Sequence, residues 1–254
     1  MTPSPLELAE DFTLYLPPRR GFVREVTPGY VLTSGTSGAT VARIRLGGDE
    51  VARTRLAIRE RLRGEDVERC TWWCGSRATP EELPQQLRAL GLEPDEEAPV
   101  LKALVLDREP AGEPTAEVRR VETFADFRIA MAIDLESTDT PAPVRARREA
   151  RMQELWEASL EQEAVYYLGY CDGEPVAHAR VFFLDGAALL LGASTRPAFR
   201  GRGVYFALVH ARWRDAVARG TPRLVVQAGP MSLPILERIG FRTLEEIQLL
   251  VDRL

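Results

Sequence analysis

Arg196-Pro197-Ala198-Phe199-Arg200-Gly201-Arg202-Gly203-Val204-Tyr205 ends a strand, turns on two glycines and opens a strong amphipathic helix. Glycine lets backbone amides approach a ligand with no Cβ in the way. The helix start leaves N–H groups without internal partners at the positive end of its dipole. That combination suits a phosphate or diphosphate. Taken alone it also fits a surface turn with solvated arginines. A dinucleotide fold is a poor match, because Gly201-x-Gly203-x-x-Phe206 lacks a third small residue and no ribose-binding acid is evident. A nucleoside-triphosphate loop fails for lack of Gly-Lys-Ser/Thr.

Working outward, Ala164–Tyr170, Pro175–Phe183 and Ala187–Thr195 read as strands, with Gly173 and Asp185-Gly186 at the turns between them. A strand around Val118–Val121 and helices at about Phe124–Leu135 and Ala142–Glu161 come before them. After the glycine turn come a helix to Arg219 closed by Gly220, a buried strand Leu224–Ala228, a short helix Leu233–Ile239 stopped by Gly240, and a last strand Ile247–Val251.

Asp107–Ala116 is rich in Pro, Ala, Gly and charge and reads as a linker. It divides an α/β (α+β) chain into residues 1–107, a linker 108–116 and residues 117–254. In the first part, Tyr30–Thr33, Ala39–Leu46, Cys70–Cys74 and Val100–Leu106 read as strands. Asp49 is placed to cap a helix Glu50–Arg63, and Thr79-Pro80 opens a helix through Leu90. No chemical motif occurs there.

The chain has 254 residues, 45% of them hydrophobic and 28% charged, with a net charge of -5. That supports real cores and argues against a nucleic-acid partner, as does the lack of a long basic run. No stretch has the apolar length of a membrane span, and the first residues have no apolar targeting core, so a cytoplasmic location is expected. Lys102 is the sole lysine and lies in no phosphate loop. Cys70, Cys74 and Cys171 are too few for a disulfide framework. Cys70 and Cys74 flank two tryptophans in a strand and read as a buried structural pair. Only His178 and His210 are available to join them at a metal, so none is expected.

The element order resembles the GNAT N-acyltransferase superfamily over about residues 117–254. The resemblance rests on Thr195-x-Pro197-x-x-Arg200-Gly201-Arg202-Gly203-Val204, the helix after it, the strand Leu224–Ala228, and Ser232-Leu233-Pro234-Ile235-Leu236-Glu237-Arg238-Ile239-Gly240-Phe241. It implies a mixed central sheet splayed between its fourth and fifth strands, with Ala187–Thr195 parting from Leu224–Ala228. It also implies acetyl-CoA as co-substrate and a small-molecule or peptide amine as acceptor. The implied cofactor contacts are Ala193, Ser194, Thr195, Arg200, Gly201, Arg202, Gly203, Val204, Tyr205 and Ser232, with an amide at about Thr195 polarising the thioester carbonyl. Arg200 and Arg202 have an alternative as solvated side chains.

Two positions depart from the family pattern. Tyr205 stands where Gly or Ala is usual, keeping the amide and adding bulk. Leu236 stands where many members carry a tyrosine acid, and leucine cannot donate a proton. No acid lies within Ala187–Thr195. His178 is therefore the titratable candidate for a base, its alternative being a half-exposed strand histidine. Tyr166, Tyr167 and Glu174 rank below it, and His210 reads as structural. Asp134, Glu136 and Asp139 lie where family members often shape the acceptor site, which implies attraction of a cationic amine, their alternative being a solvated acidic helix end and loop.

The first part resembles a smaller, degenerate copy. Trp72-Trp73-Cys74-Gly75 followed by Leu87–Leu92 parallels the later strand and short helix, without an Arg-Gly-x-Gly loop. An acyltransferase is the first functional expectation. An acyl-CoA-binding regulatory or scaffold protein is the second. Nothing in the sequence bears on oligomeric state.

Overall fold

The computed structural model describes residues 2–17, 21–35, 38–65, 67–138, 140 and 142–254. Asp139, one of the expected acceptor-site acids, lies outside them. In chain order the first elements are α1 (Pro5–Glu10), β1 (Phe22–Val26), β2 (Val31–Gly35), β3 (Gly38–Ala42), α2 (Val51–Leu62), β4 (Arg69–Cys74), α3 (Leu83–Ala89), β5 (Glu93–Pro94) and β6 (Val100–Leu106). They continue with β7 (Val118–Arg120), α4 (Phe124–Ser137), α5 (Ala142–Ala150), α6 (Met152–Glu161), β8 (Val165–Cys171), β9 (Glu174–Leu184) and β10 (Ala187–Thr195). The last are α7 (Val204–Ala218), β11 (Leu224–Ala228), α8 (Leu233–Ile239) and β12 (Arg242–Arg253).

These elements form two compact units, and no single cut in the sequence separates them. One unit comprises Pro5–Leu104, Gln227–Pro234 and Thr243–Leu254; the other comprises Met1–Ser4, Val105–Val226 and Ile235–Arg242. The expected linker 108–116 lies within the second of these. The expected last strand lies in the first, where β12 pairs antiparallel with β4 from Gln248↔Cys74 to Arg253↔Arg69.

In the first unit the sheet order is β1-β2-β3-β4-β12, with β5 also on β12. Only β3 and β4 run parallel within β1–β4. Trp72, Val41, Ile44, Ile58, Leu62 and Leu87 help fill its core. β12 is fixed by charge as well as by pairing. The buried Asp252 carboxylate accepts hydrogen bonds from Arg55 Nε (2.9 Å), Arg55 Nη2 (2.8 Å) and Arg59 Nη1 (2.6 Å). Helix α2 starts after Glu50, not after the expected cap Asp49, and has no capping side chain. The Glu50 carboxylate instead accepts from the Gly47 amide at 2.8 Å.

Cys70 and Cys74 are buried in this core, and burial raises both thiols to about 12. A thiol at that value is almost wholly protonated at pH 8, and the thiolate is the nucleophile. We therefore expect one equivalent of a thiol-specific chromogenic disulfide to react with the native protein, at the partly exposed Cys171. All three cysteines should react in denaturant; three fast equivalents in the native state would contradict this packing.

In the second unit the sheet order is β11-β10-β9-β8-β7. Neighbours are antiparallel except β10 and β11, which are parallel. Helix α4 starts by reciprocal capping: Thr123 Oγ1 accepts from the Asp126 amide and donates to the Asp126 carboxylate. The expected helix Ala142–Glu161 is interrupted at Arg151, giving α5 and α6. Alternate strand residues point to opposite sheet faces. Tyr166 packs edge-on against Phe127 of α4, whereas the Tyr167 hydroxyl donates to Asp215 of α7. Helices α4 and α7 therefore cover opposite faces of this sheet. Among the described residues, no helix is long and apolar enough to cross a membrane.

Candidate active site

Strand β10 carries the site. Its parallel pairing with β11 runs Ala188↔Leu224, Leu189↔Val225 and Leu190↔Val226 and goes no further. β10 itself continues to Thr195, bonded on its other side to β9. From Leu191 onward its edge toward β11 is therefore unpaired, and buried backbone polar groups need partners. The strand also bulges. The register with β9 shifts between Leu191 and Ala193, where Gly192 takes a φ of 63°. A bulge re-aims the residues after it. Ala193, Ser194 and Thr195 follow, each partly exposed, opposite Ala179, His178 and Ala177.

The chain leaves β10 through a single helical turn, Pro197–Phe199, and reaches the glycine turn. Gly201 and Gly203 both have a φ of 77°. A side chain at Gly201 would meet nothing within 4 Å, and one at Gly203 would meet only Thr115 Oγ1, at 3.9 Å. The glycines are needed here for backbone angle, and the space above them is open. Gly203 is the N-cap of the 15-residue α7 and provides no capping side chain. The amides of Val204, Tyr205 and Phe206 thus open a long helix at an exposed turn. That is a ready anion site.

The arginines of the turn are not equivalent. Arg196 pairs with Glu136 and Glu174, both at 2.7 Å. Arg200 is turned onto backbone, donating to Thr195 O at 3.3 Å and Ser137 O at 3.2 Å. Arg202 stacks over Phe199 and makes a long, exposed contact of 3.5 Å with Asp172. Such a surface pair is worth about 0–1 kcal/mol and is readily exchanged for another anion. Tyr205 is partly buried, and the Arg212 guanidinium, two turns further along α7 and 1% exposed, lies near its phenol. Burial raises the Tyr205 phenol and lowers the Arg212 guanidinium, the latter partly offset by Tyr205 and Tyr167.

On the α4 face, three side chains meet that the sequence singles out separately. The Ser194 hydroxyl donates to Asp134 Oδ1 at 2.9 Å, and His178 Nε2 lies 3.2 Å from the same oxygen. Arg148 of α5 stands 3.5 Å from Oδ2. Strand register accounts for the meeting: Ser194 pairs with His178 and His178 with Leu168, so all three share one face. Burial alone would raise the Asp134 carboxyl. The hydrogen bonds from His178 and Ser194, with the charges of His178 and Arg148, outweigh it and leave the group below its ordinary value. An ionised carboxylate only accepts hydrogen bonds, so His178 Nε2 donates. His178 Nδ1 is buried with no hydrogen-bond partner.

His178 is 3% exposed, so the half-exposed alternative is corrected. Asp134, with 29% of its side chain exposed, is open to solvent. The other candidates are committed elsewhere. Tyr166 packs on Phe127, Tyr167 donates to Asp215, and Glu174 holds Arg196. His210 is buried against Phe206, and burial lowers its pKa. Leu236 is fully buried and accepts the Phe241 amide at its carbonyl. Ser232 lies in the first unit's Gln227–Pro234 segment, its amide and hydroxyl both donating to Gly229 O. Sequence reasoning did not foresee the side-chain bond from Ser194, the ion pair from Arg148 or the bulge at Gly192. Gly192 next to the strand end was the available signal for the bulge.

Comparison with known proteins places this arrangement. Residues 129–241 match the model of the acetyltransferase (GNAT) family. No curated protein sequence matches the chain. A functionally unknown conserved protein from Staphylococcus epidermidis has a similar structure, with a TM-score of 0.68 at 10% identity over 90% of this chain and 92% of its own. A GCN5-related N-acetyltransferase from Kribbella flavida gives 0.63 at 20% identity over 92% and 90%. A tandem GNAT protein from the clavulanic acid biosynthesis pathway gives 0.61 at 14% identity over 93% and 84%. At these identities the likeness is one of fold, and it extends over nearly the whole chain. Residues 129–241, in which the β10–β11 pairing stops at Leu190–Val226 and a glycine turn opens α7, are similar to the acetyltransferase (GNAT) family, and the likeness to solved structures is one of fold.

Proposed function

We propose that this protein transfers an acyl group, most simply acetyl, from its coenzyme A thioester to a primary amine, in a ternary complex on the β10–α7 unit. The observation that carries the reading is the parting of β10 from β11 directly before a glycine turn that opens a long helix. The open edge of β10 offers amides and carbonyls to a pantetheine arm. The Val204–Phe206 amides receive the diphosphate, with Arg202 released from Asp172 to join them. The backbone at Ala193–Thr195 stabilises the oxyanion of the tetrahedral intermediate.

Asp134 receives the ammonium of the acceptor and lowers the cost of holding it beside the thioester. It takes one proton from that ammonium, which frees the lone pair that attacks the thioester carbonyl carbon. Collapse of the tetrahedral intermediate breaks the carbon–sulfur bond and expels the thiolate, and the second proton of the nitrogen passes through water to that thiolate, since Leu236 offers no donor. His178 and Ser194 do not reach the acceptor. They orient and polarise Asp134 through their hydrogen bonds.

The test is thiol release from acetyl-CoA against a panel of amines, with CoA binding measured in parallel by calorimetry. Turnover with at least one primary amine supports the reading. The buried, apolar Leu236 favours a second reading, an acyl-CoA-binding regulatory protein without catalysis. Tight CoA binding with no thiol release for any amine would select it. Absence of CoA binding would remove both.

A further inference from the structure

The unit without the glycine turn has a cavity of its own. It occupies about 210 Å³, and its charged walls come from Glu7, Glu10, Asp11, Arg43, Arg45 and Arg77. One water needs roughly 10–15 Å³, so the space suits a small organic molecule. Both signs of charge are present, and they are unevenly spent. Glu10, 5% exposed, is neutralised by Arg45, whose Nη2 lies 2.6 Å from Oε1. Arg45 is fixed further by donating to Ile44 O at 2.8 Å.

Asp11 is different. It is 2% exposed, and only Oδ1 is used, accepting from the Thr13 amide and hydroxyl. Oδ2 is buried with no hydrogen-bond partner. An unpaired buried carboxylate oxygen is costly and calls for a donor. Opposite charge is also available. Arg77 stands 3.6 Å from Glu10 and 3.9 Å from Glu7, both too long for hydrogen bonds. Arg43 is exposed and holds no ion pair among the described residues. A simple anion would leave Asp11 unanswered, and a simple cation would face the two arginines.

We propose that this cavity binds a zwitterion of the α-amino acid class, its ammonium on Asp11 and its carboxylate on Arg43 and Arg77. The inference is independent of the acyl-transfer reading. The test is calorimetric titration of the full chain with the twenty common L-amino acids. The best binder is then repeated as its methyl ester and its N-acetyl derivative, each lacking one charge. We expect at least one amino acid to bind, and each derivative to bind at least tenfold more weakly. Asp11→Asn, which keeps the hydrogen bonds to Thr13, and Arg43→Gln, a surface change that leaves the core intact, should each cost at least tenfold. No heat from any amino acid, derivatives that bind equally well, or affinity untouched by both variants would overturn the proposal. The last outcome would move the ligand to another site. CoA affinity measured in the same variants is expected to be unchanged.

Discussion

Replacing Gly203 by valine is expected to weaken CoA binding about 100-fold, or ~3 kcal/mol, with the protein still folded. Two effects add. At a φ of 77° a β-branched residue is strained. The left-handed conformation costs an L-residue about 1–2 kcal/mol, so the turn shifts away from the angle that aims the first α7 amides outward. The new side chain also stands in the open space over the turn, where the proposed diphosphate would approach. Gly220 is the internal control. It has a φ of 73°, is exposed, and closes the other end of the same helix, where an added Cβ would meet nothing within 4 Å. Gly220→Val should lower the melting temperature about as much as Gly203→Val and leave CoA affinity within twofold. Calorimetry with CoA and thermal melts of both variants decide the matter. Equal affinity in wild type and Gly203→Val would remove the diphosphate from this turn.

The contrast between these glycines shows what a sequence makes visible. Punctuation by glycine and proline is local, and local signals are legible: β4, β10, β11 and α8 begin and end within a residue of where their apolar runs and glycines place them. Partners across the fold are another matter. Ile247–Val251 reads as a strand from its apolar run, but nothing within those residues names β4 as the neighbour of β12, because pairing depends on chain brought from far away. The same limit applies to the compact units, each of which gathers residues from separate stretches of the chain. Side-chain destinations are legible only as types. Tyr205 promises bulk at the turn, yet its side chain is partly buried and its phenol lies near Arg212, seven residues later on the helix. Asp134, His178 and Ser194 are each visible as chemistry. Their convergence on one carboxylate oxygen follows from strand register and from the docking of α4, which no single segment encodes.

That convergence gives the second large effect. Asp134→Asn is expected to lower kcat/KM for the amine by about 10²–10³-fold, within the range for removing a positioned proton acceptor. The amide keeps an oxygen for Ser194 and much the same volume, so folding should survive, while the charge proposed to hold the ammonium and take its proton is lost. Most of the loss should fall on kcat. Affinity for CoA should be unchanged, because the anion turn lies on the opposite helix. The pH dependence carries a sign. Asp134 ionises below its ordinary value in the folded protein. A depressed folded value means that its contribution to stability is complete above the unfolded value and is lost as pH falls through the folded one. Wild type should therefore lose its stability advantage over Asp134→Asn only on the acid side of the normal carboxylate range, in urea melts taken from neutral pH downward. His178→Gln separates positioning from direct catalysis. A side chain that still donates to Asp134 should restore most of the activity lost in His178→Ala, and an acid limb that moves upward in His178→Ala but not in His178→Gln would mark the hydrogen bond donated from position 178 as what keeps Asp134 ionised. If His178→Gln instead loses as much kcat as Asp134→Asn, the proton passes to the imidazole itself, and the carboxylate is the orienting partner.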